Sequence, residues 1–213
     1  MTESERVLPL FPLEQVVLFP GMSLPLRIFE ERYKVMIGAC QVTDQVFGVL
    51  LIRSGSEVGA PAVPERVGCM ARMLRVDRLP DGRMTILTIG EQRFRLIGPP
   101  RVMAEGYLVG DVRLLLDDAG VVPPDLLESV TSEFAHYEEA RAARHRSSVP
   151  RPEPPRDPVR LSYQIAASLQ VHPRECQRLL ELDDAASRLE KELELLKREN
   201  RPAPKTIGPF SVN

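Results

Sequence analysis

Three cysteines, three histidines and four lysines are the side chains of this 213-residue chain best suited to nucleophilic or metal chemistry. Their spacing works against both. Cys40, Cys69 and Cys176 are far apart and form no C-x-x-C pair, and His136, His145 and His172 have no second His or Cys at the short intervals of a zinc site. This pattern suits free buried thiols. His136 falls on a predicted helix between Glu133 and Glu139, which a solvated helix face explains. A phosphate cradle needs a glycine-rich turn followed by Lys and then Ser or Thr, whereas the single Lys-Thr pair, Lys205-Thr206, follows Pro204. The Gly-x-Gly-x-x-Gly fingerprint of dinucleotide binding is absent. So is the Gly-x-Ser-x-Gly elbow, to which Ser54-Gly55-Ser56-Glu57 is the nearest approach. Lys191, Lys197 and Lys205 lie near the C-terminus, far in sequence from Lys34, and nothing marks a Ser-Lys pair. The sequence therefore assigns no catalytic, cofactor-binding or metal-binding residue, and no cofactor.

Carboxylates occur as adjacent pairs, Glu30-Glu31, Asp117-Asp118, Glu138-Glu139 and Asp183-Asp184. Neighbours on a helix or turn diverge, so these read as caps and solvated faces. Seven arginines, Arg72, Arg75, Arg78, Arg83, Arg93, Arg95 and Arg101, would suit a basic stripe for RNA, but Asp77, Asp81 and Glu91 interleave with them. Ion pairs on exposed strand faces are the expectation. Charge agrees: 28 Lys and Arg stand against 30 Asp and Glu, a formal net charge of −2. Residues 1–116 hold 14 basic and 13 acidic side chains and residues 117–213 hold 14 and 17, so neither half has the basic excess of a polyanion binder.

Two periodicities meet near Asp117-Asp118-Ala119-Gly120. Upstream, short runs of Val, Ile, Leu and Thr alternate with turn residues, as strands do. Val16–Phe19 is predicted as a strand closed by Pro20-Gly21, and Leu24–Phe29 as a half-buried strand. Glu30–Thr43 is predicted as a helix with Tyr33, Met36, Ile37 and Cys40 on one face. Val46–Ile52 reads as a buried strand and 54–64 as a loop. Asp81-Gly82, between Val67–Leu79 and Met84–Ile89, predicts a hairpin. Gly90–Ile97 and Tyr107–Leu116 add two strands, and about six strands with one helix suggest a small barrel or pseudo-barrel.

Downstream the spacing is helical. Helices are predicted from about 125 to 146, 159 to 170, 173 to 182 and 185 to 200, with a proline-rich loop at 148–158 after the first. Asp183 or Asp184 caps the last helix, which turns Leu189, Leu193 and Leu196 inward. The fold class is thus α+β: a mainly β subdomain over 1–116, a helical subdomain over 117–200, and an extended tail over 201–213, where Ile207 and Phe210 are candidates to dock. The last helix or the tail is also the candidate surface for pairing with a second copy. The longest apolar run, Val46–Ile52, is far below the roughly 20 residues of a membrane span. The polar start Met1-Thr2-Glu3-Ser4-Glu5-Arg6 lacks the pattern of a secretory signal, so a cytoplasmic location is expected.

One resemblance goes beyond periodicity. Leu8-Pro9-Leu10-Phe11-Pro12-Leu13, Val17-Leu18-Phe19-Pro20-Gly21 and Leu24-Pro25-Leu26-Arg27-Ile28-Phe29-Glu30, followed by Arg32-Tyr33, resemble the opening of the substrate-binding N-terminal domain of the ATP-dependent protease Lon. Gly68-Cys69-Met70-Ala71-Arg72, Gly90-Glu91-Gln92-Arg93-Phe94-Arg95-Leu96 and Leu180-Glu181-Leu182-Asp183-Asp184 with Arg188-Leu189-Glu190 are similar to later segments of that family. The resemblance implies a PUA-like pseudo-barrel followed by helices, in a stand-alone member without the ATPase or the Ser-Lys peptidase. It implies a non-enzymatic module, an adaptor or free-standing binder, whose partners are unfolded or tagged polypeptides and a protease that receives them. An apolar groove is expected as the contact, with Met70, Met73 and Met84 as candidate peptide-contact residues because flexible thioethers adapt to varied sequences. Two alternatives stand beside it: a PUA-like RNA-binding module, and a small-molecule sensor or uncharacterised enzyme.

Overall fold

Alternating apolar residues in the first half become eight strands and one helix in the computed structural model, which describes residues 5–56, 62–145 and 154–201. These are β1 (Glu5–Leu13), β2 (Ser23–Ile28), α1 (Glu31–Gln41), β3 (Val46–Ser54), β4 (Val63–Pro64), β5 (Val67–Arg78), β6 (Met84–Leu96), β7 (Arg101–Val102) and β8 (Leu108–Leu114). Five strands close a ring. β6 pairs with β5, β5 with β3, β3 with β1 and β1 with β8, and β8 returns to the C-terminal end of β6. Within the ring only β1 and β3 run parallel, connected through β2 and α1. Closure leaves these five strands no free lateral edge where they pair on both sides.

Leu8, Leu10, Leu50, Met70, Phe94, Leu96 and Val112 fill the lumen. The glycines facing them are a packing requirement: a Cβ at Gly48 would stand 2.6 Å from the Phe94 ring and one at Gly68 2.8 Å from it. A second core lies outside the ring, where Phe11, Phe47 and Cys69 meet Tyr33, Met36, Ile37 and Cys40 of α1. The periodicity that predicted this helix is the face it buries. The first half of β6 runs beyond the ring and pairs with β2, whose alternate residues Leu24, Leu26 and Ile28 join the second core.

Three expectations change. Val17, Leu18 and Phe19 are buried but irregular, and the strand that pairs with β8 and β3 is β1, upstream of them. Met84–Ile89 and Gly90–Ile97 are one continuous strand, β6. The predicted loop contains the two-residue strand β4, which pairs with the end of β3.

The second half forms α2 (Pro124–His145), α3 (Pro158–Ser168), α4 (Pro173–Glu181) and α5 (Ala185–Glu199). Pro158 opens α3 at its first turn, where the missing N–H costs nothing, rather than closing the predicted loop; Pro150 and Pro152 lie outside the described residues, as do residues 202–213 of the predicted tail. Each of the last three helices has a side-chain cap. Asp157 accepts from the Arg160 amide at 2.8 Å, His172 Nδ1 from that of Arg174 at 3.2 Å, and Asp184 from that of Ser187 at 2.8 Å. Removing the last cap by Asp184→Ala is expected to cost about 1 kcal/mol. A lower urea midpoint at unchanged slope would report it; an unmoved midpoint would show that the cap carries nothing.

Val130, Phe134 and Tyr137 of α2, Leu161 and Ile165 of α3, Leu179 and Leu180 of α4 and Leu189 and Leu196 of α5 form one core with Phe19, Leu51 and Val67. The strands and the helices therefore share buried surface. No helix among the described residues is long and apolar enough to cross a membrane.

Candidate functional site

The reactive side chains are structural. Burial pushes the Cys40 and Cys176 thiols up to about 11 and drives Cys69 further up, so all three are protonated at neutral pH. No three His, Cys, Asp or Glu side chains gather as metal ligands among the described residues. The arginine stripe is largely neutralised: Arg72 pairs with Glu91, Arg75 with Asp77, Arg83 with Asp81 and Arg101 with Asp111.

Arg93 instead points inward from β6 and is 1 % exposed. Its guanidinium donates to Asp117 at 3.1 Å and to the carbonyls of Leu180 at 2.9 Å, Leu182 at 2.6 Å and Asp183 at 3.2 Å, at the turn between α4 and α5. Tyr163 of α3 donates its hydroxyl to the same Asp117 carboxylate. Arg188 lies over the Tyr163 ring at 4.2 Å and donates to Ser162 at 2.9 Å and to Leu182 at 3.1 Å. Beyond it Glu192 is fully buried with neither carboxylate oxygen hydrogen-bonded, and burial holds its carboxyl well above the usual range. This polar cluster joins the helical half to the barrel, with Arg93, Arg188 and Glu192 buried and Asp117 at its solvent-facing end.

The three methionines sit inside as well. Met70 packs in the lumen and Met73 and Met84 in the second core, each 4 % exposed. Strand alternation turns these positions inward, so in this conformation none reaches the surface. The opposite face of the same strands is open. Leu74 of β5 is 55 % and Leu87 of β6 is 40 % exposed. Leu87 stands in register between Pro25 of β2 and Arg75 of β5, with Ile89, half-buried, in the row of Ser23 and Arg72. The signal was present in sequence: Leu87 lies between the inward residues Ile86 and Thr88, an apolar residue at an outward position.

That face ends at β2, the outermost strand of its sheet, which among the described residues pairs only with β6. Its outward residues are Ser23, Pro25 and Arg27. Proline belongs on such an edge, because it has no N–H to lose from the ladder and discourages indiscriminate pairing. The result is an apolar strip, Leu74, Leu87, Ile89 and Pro25, bordered by Arg27, Arg75 and Asp77. Such a strip offers area to apolar side chains and charges to orient them, with no group placed for covalent chemistry.

The family model for the ATP-dependent protease La (LON) substrate-binding domain matches residues 7–198. The chain belongs to the LON substrate-binding domain family. Lon protease of Cytophaga hutchinsonii is 26 % identical over 198 residues, covering 87 % of this chain and 23 % of that protein. Lon protease 1 of Hydrogenovibrio crunogenus is 29 % identical over 204 residues, covering 89 % and 24 %. The chain thus spans about a quarter of the length of these relatives. Among solved structures, a Lon N-terminal domain protein from Xanthomonas campestris superposes with a TM-score of 0.69 at 29 % identity, covering 89 % of this chain and 98 % of that one. The N-terminal domain of Mycobacterium avium complex Lon protease shares the fold, with a TM-score of 0.60 at 17 % identity and coverage of 90 % and 98 %. A sheet-rich first part followed by helices is therefore the architecture of the Lon N-terminal domain, as the resemblance implied.

Proposed function

We propose that this LON substrate-binding domain is a non-enzymatic recognition module that holds unfolded polypeptide on the outer face of β2, β6 and β5 and presents it to a protease. The carrying observation is the strip of exposed Leu74 and Leu87 beside the open strand β2, in a chain of a substrate-binding family. Apolar association is non-directional and tolerates varied sequences, which suits clients recognised by being unfolded. Met73 and Met84 lie one layer beneath, and their flexible side chains let the sheet adjust.

Titrating a fluorescently labelled, reduced and carboxymethylated model protein tests this. Saturable binding is expected for the chain, and none for the native, folded form of the probe. Covering two half-exposed leucines stabilises a complex by about 1–2 kcal/mol, so Leu74→Ser with Leu87→Ser is expected to weaken it roughly ten-fold. Binding that ignores both substitutions would remove the face, and the absence of saturable binding would remove the function.

A further inference from the structure

A second surface lies in the helical half. α4 and α5 are antiparallel neighbours whose outward residues flank a cleft of about 320 Å³, floored by Leu195, which is 4 % exposed. Four cations line it, Arg178, Lys191, Arg198 and Arg201, against two carboxylates, Glu175 and Glu194. The carboxylates are occupied. Arg198 grips both oxygens of Glu175, at 2.7 and 3.0 Å, and Lys191 pairs with Glu194. The grip is tight enough for Arg198 to hold the Glu175 carboxyl below its usual range. Arg178 and Arg201, both exposed, have no ion pair among the described residues. The cleft is therefore locally cationic on a chain whose net charge is −2.

We propose that the α4–α5 cleft docks an acidic peptide segment, two carboxylates of which pair with Arg178 and Arg201 while an apolar side chain between them reaches Leu195. Charge complementarity selects this occupant. Two separated guanidiniums match two separate carboxylates, each taken bidentately. Glu175 and Glu194, fixed in the same lining, repel a continuous phosphate backbone, which presents a charge at every residue. Their presence beside the cations gives selectivity: a ligand must bring its negative charges to Arg178 and Arg201 and neutral atoms to the carboxylates. The surface is distinct from the β2–β6–β5 face, so one chain can hold an unfolded segment on one side and an acidic motif on the other.

Fluorescence anisotropy with the full chain tests it, using a fluorescein-labelled peptide of alternating Glu and Leu and the matching Gln–Leu peptide. The acidic peptide is expected to bind, with affinity that falls as salt is raised, and the Gln–Leu peptide to bind at least about ten-fold more weakly. Arg178→Glu with Arg201→Glu is expected to abolish the difference between the two peptides. Both positions are exposed, and an unchanged circular dichroism spectrum and unchanged capture of the unfolded probe by Leu74 and Leu87 confirm that the variant is folded. Equal affinity for the two peptides, an acidic-peptide affinity that survives the double reversal, or tighter binding of oligouridylate than of the acidic peptide would each overturn the proposal.

Discussion

Arg93→Ala is expected to destabilise the protein by about 3–5 kcal/mol, the cost of breaking a buried charged network by removing one partner. The carbonyls of Leu180 and Asp183 lose this donor, that of Leu182 keeps only Arg188, and Asp117 keeps only the Tyr163 hydroxyl. For a chain of this size the loss corresponds to a drop in Tm on the order of 10 °C. Because Arg93 stands on β6 and all its carbonyl partners on the helical half, calorimetry is expected to show the helices melting ahead of the barrel. Arg93→Lys should recover only part of the loss, since an ammonium carries the charge but cannot fork toward four acceptors. A loss under about 1 kcal/mol would show that the two halves are held by their shared apolar core alone.

Glu192→Leu should move stability the other way, by about 1–3 kcal/mol, because it removes a buried carboxyl whose two oxygens have no partner and puts apolar volume among Leu189, Leu195 and Leu196. The pH dependence separates this from simple repacking. The folded state holds the Glu192 proton to a pH well above the unfolded value of about 4.3. This contribution is full below the unfolded value. It declines by up to about 1.4 kcal/mol per pH unit as pH rises, until the folded value is passed. Glu192→Gln, which cannot ionise, should flatten that alkaline decline in urea midpoints. Glu175 and Asp184 do not interfere: Arg198 holds the first carboxyl low and the Ser187 amide the second, so their contributions are lost only as pH falls through the acid range. Identical slopes for wild type and Glu192→Gln would refute a protonated Glu192.

Legibility in the sequence followed how local each signal was. α1 was readable because Tyr33, Met36, Ile37 and Cys40 repeat at helical spacing, and the β5–β6 turn because Asp81-Gly82 supplies the positive φ, 80° at Gly82, that such a turn needs. β1 was not readable as a strand, since Pro9 and Pro12 look like breakers. Tertiary context explains them. Pairing with β8 covers Glu5 to Leu10 and pairing with β3 covers Leu10 to Leu13, so each proline sits where one side of the strand has no partner and its ring nitrogen removes no ladder bond. The face proposed for docking was missed for a related reason. Met70, Met73 and Met84 stood out by chemistry, but strand parity decides which side a residue faces, and parity depends on a register that only long-range pairing fixes. The buried role of Arg93 had no local sign at all: its partners lie 24 to 90 residues away.

The ring described above also sets a timetable. Glu5 pairs with Arg113, 108 positions later, so β1 completes its ladder with β8 only after those intervening residues have been made. At ordinary synthesis rates that interval is roughly 5–20 s. Throughout it the Glu5–Leu10 edge lacks its β8 partner and is open to any extended segment nearby. A module proposed to collect unfolded chains thus passes through a stage in which its own first strand resembles one, and barrel closure by β8 ends that exposure.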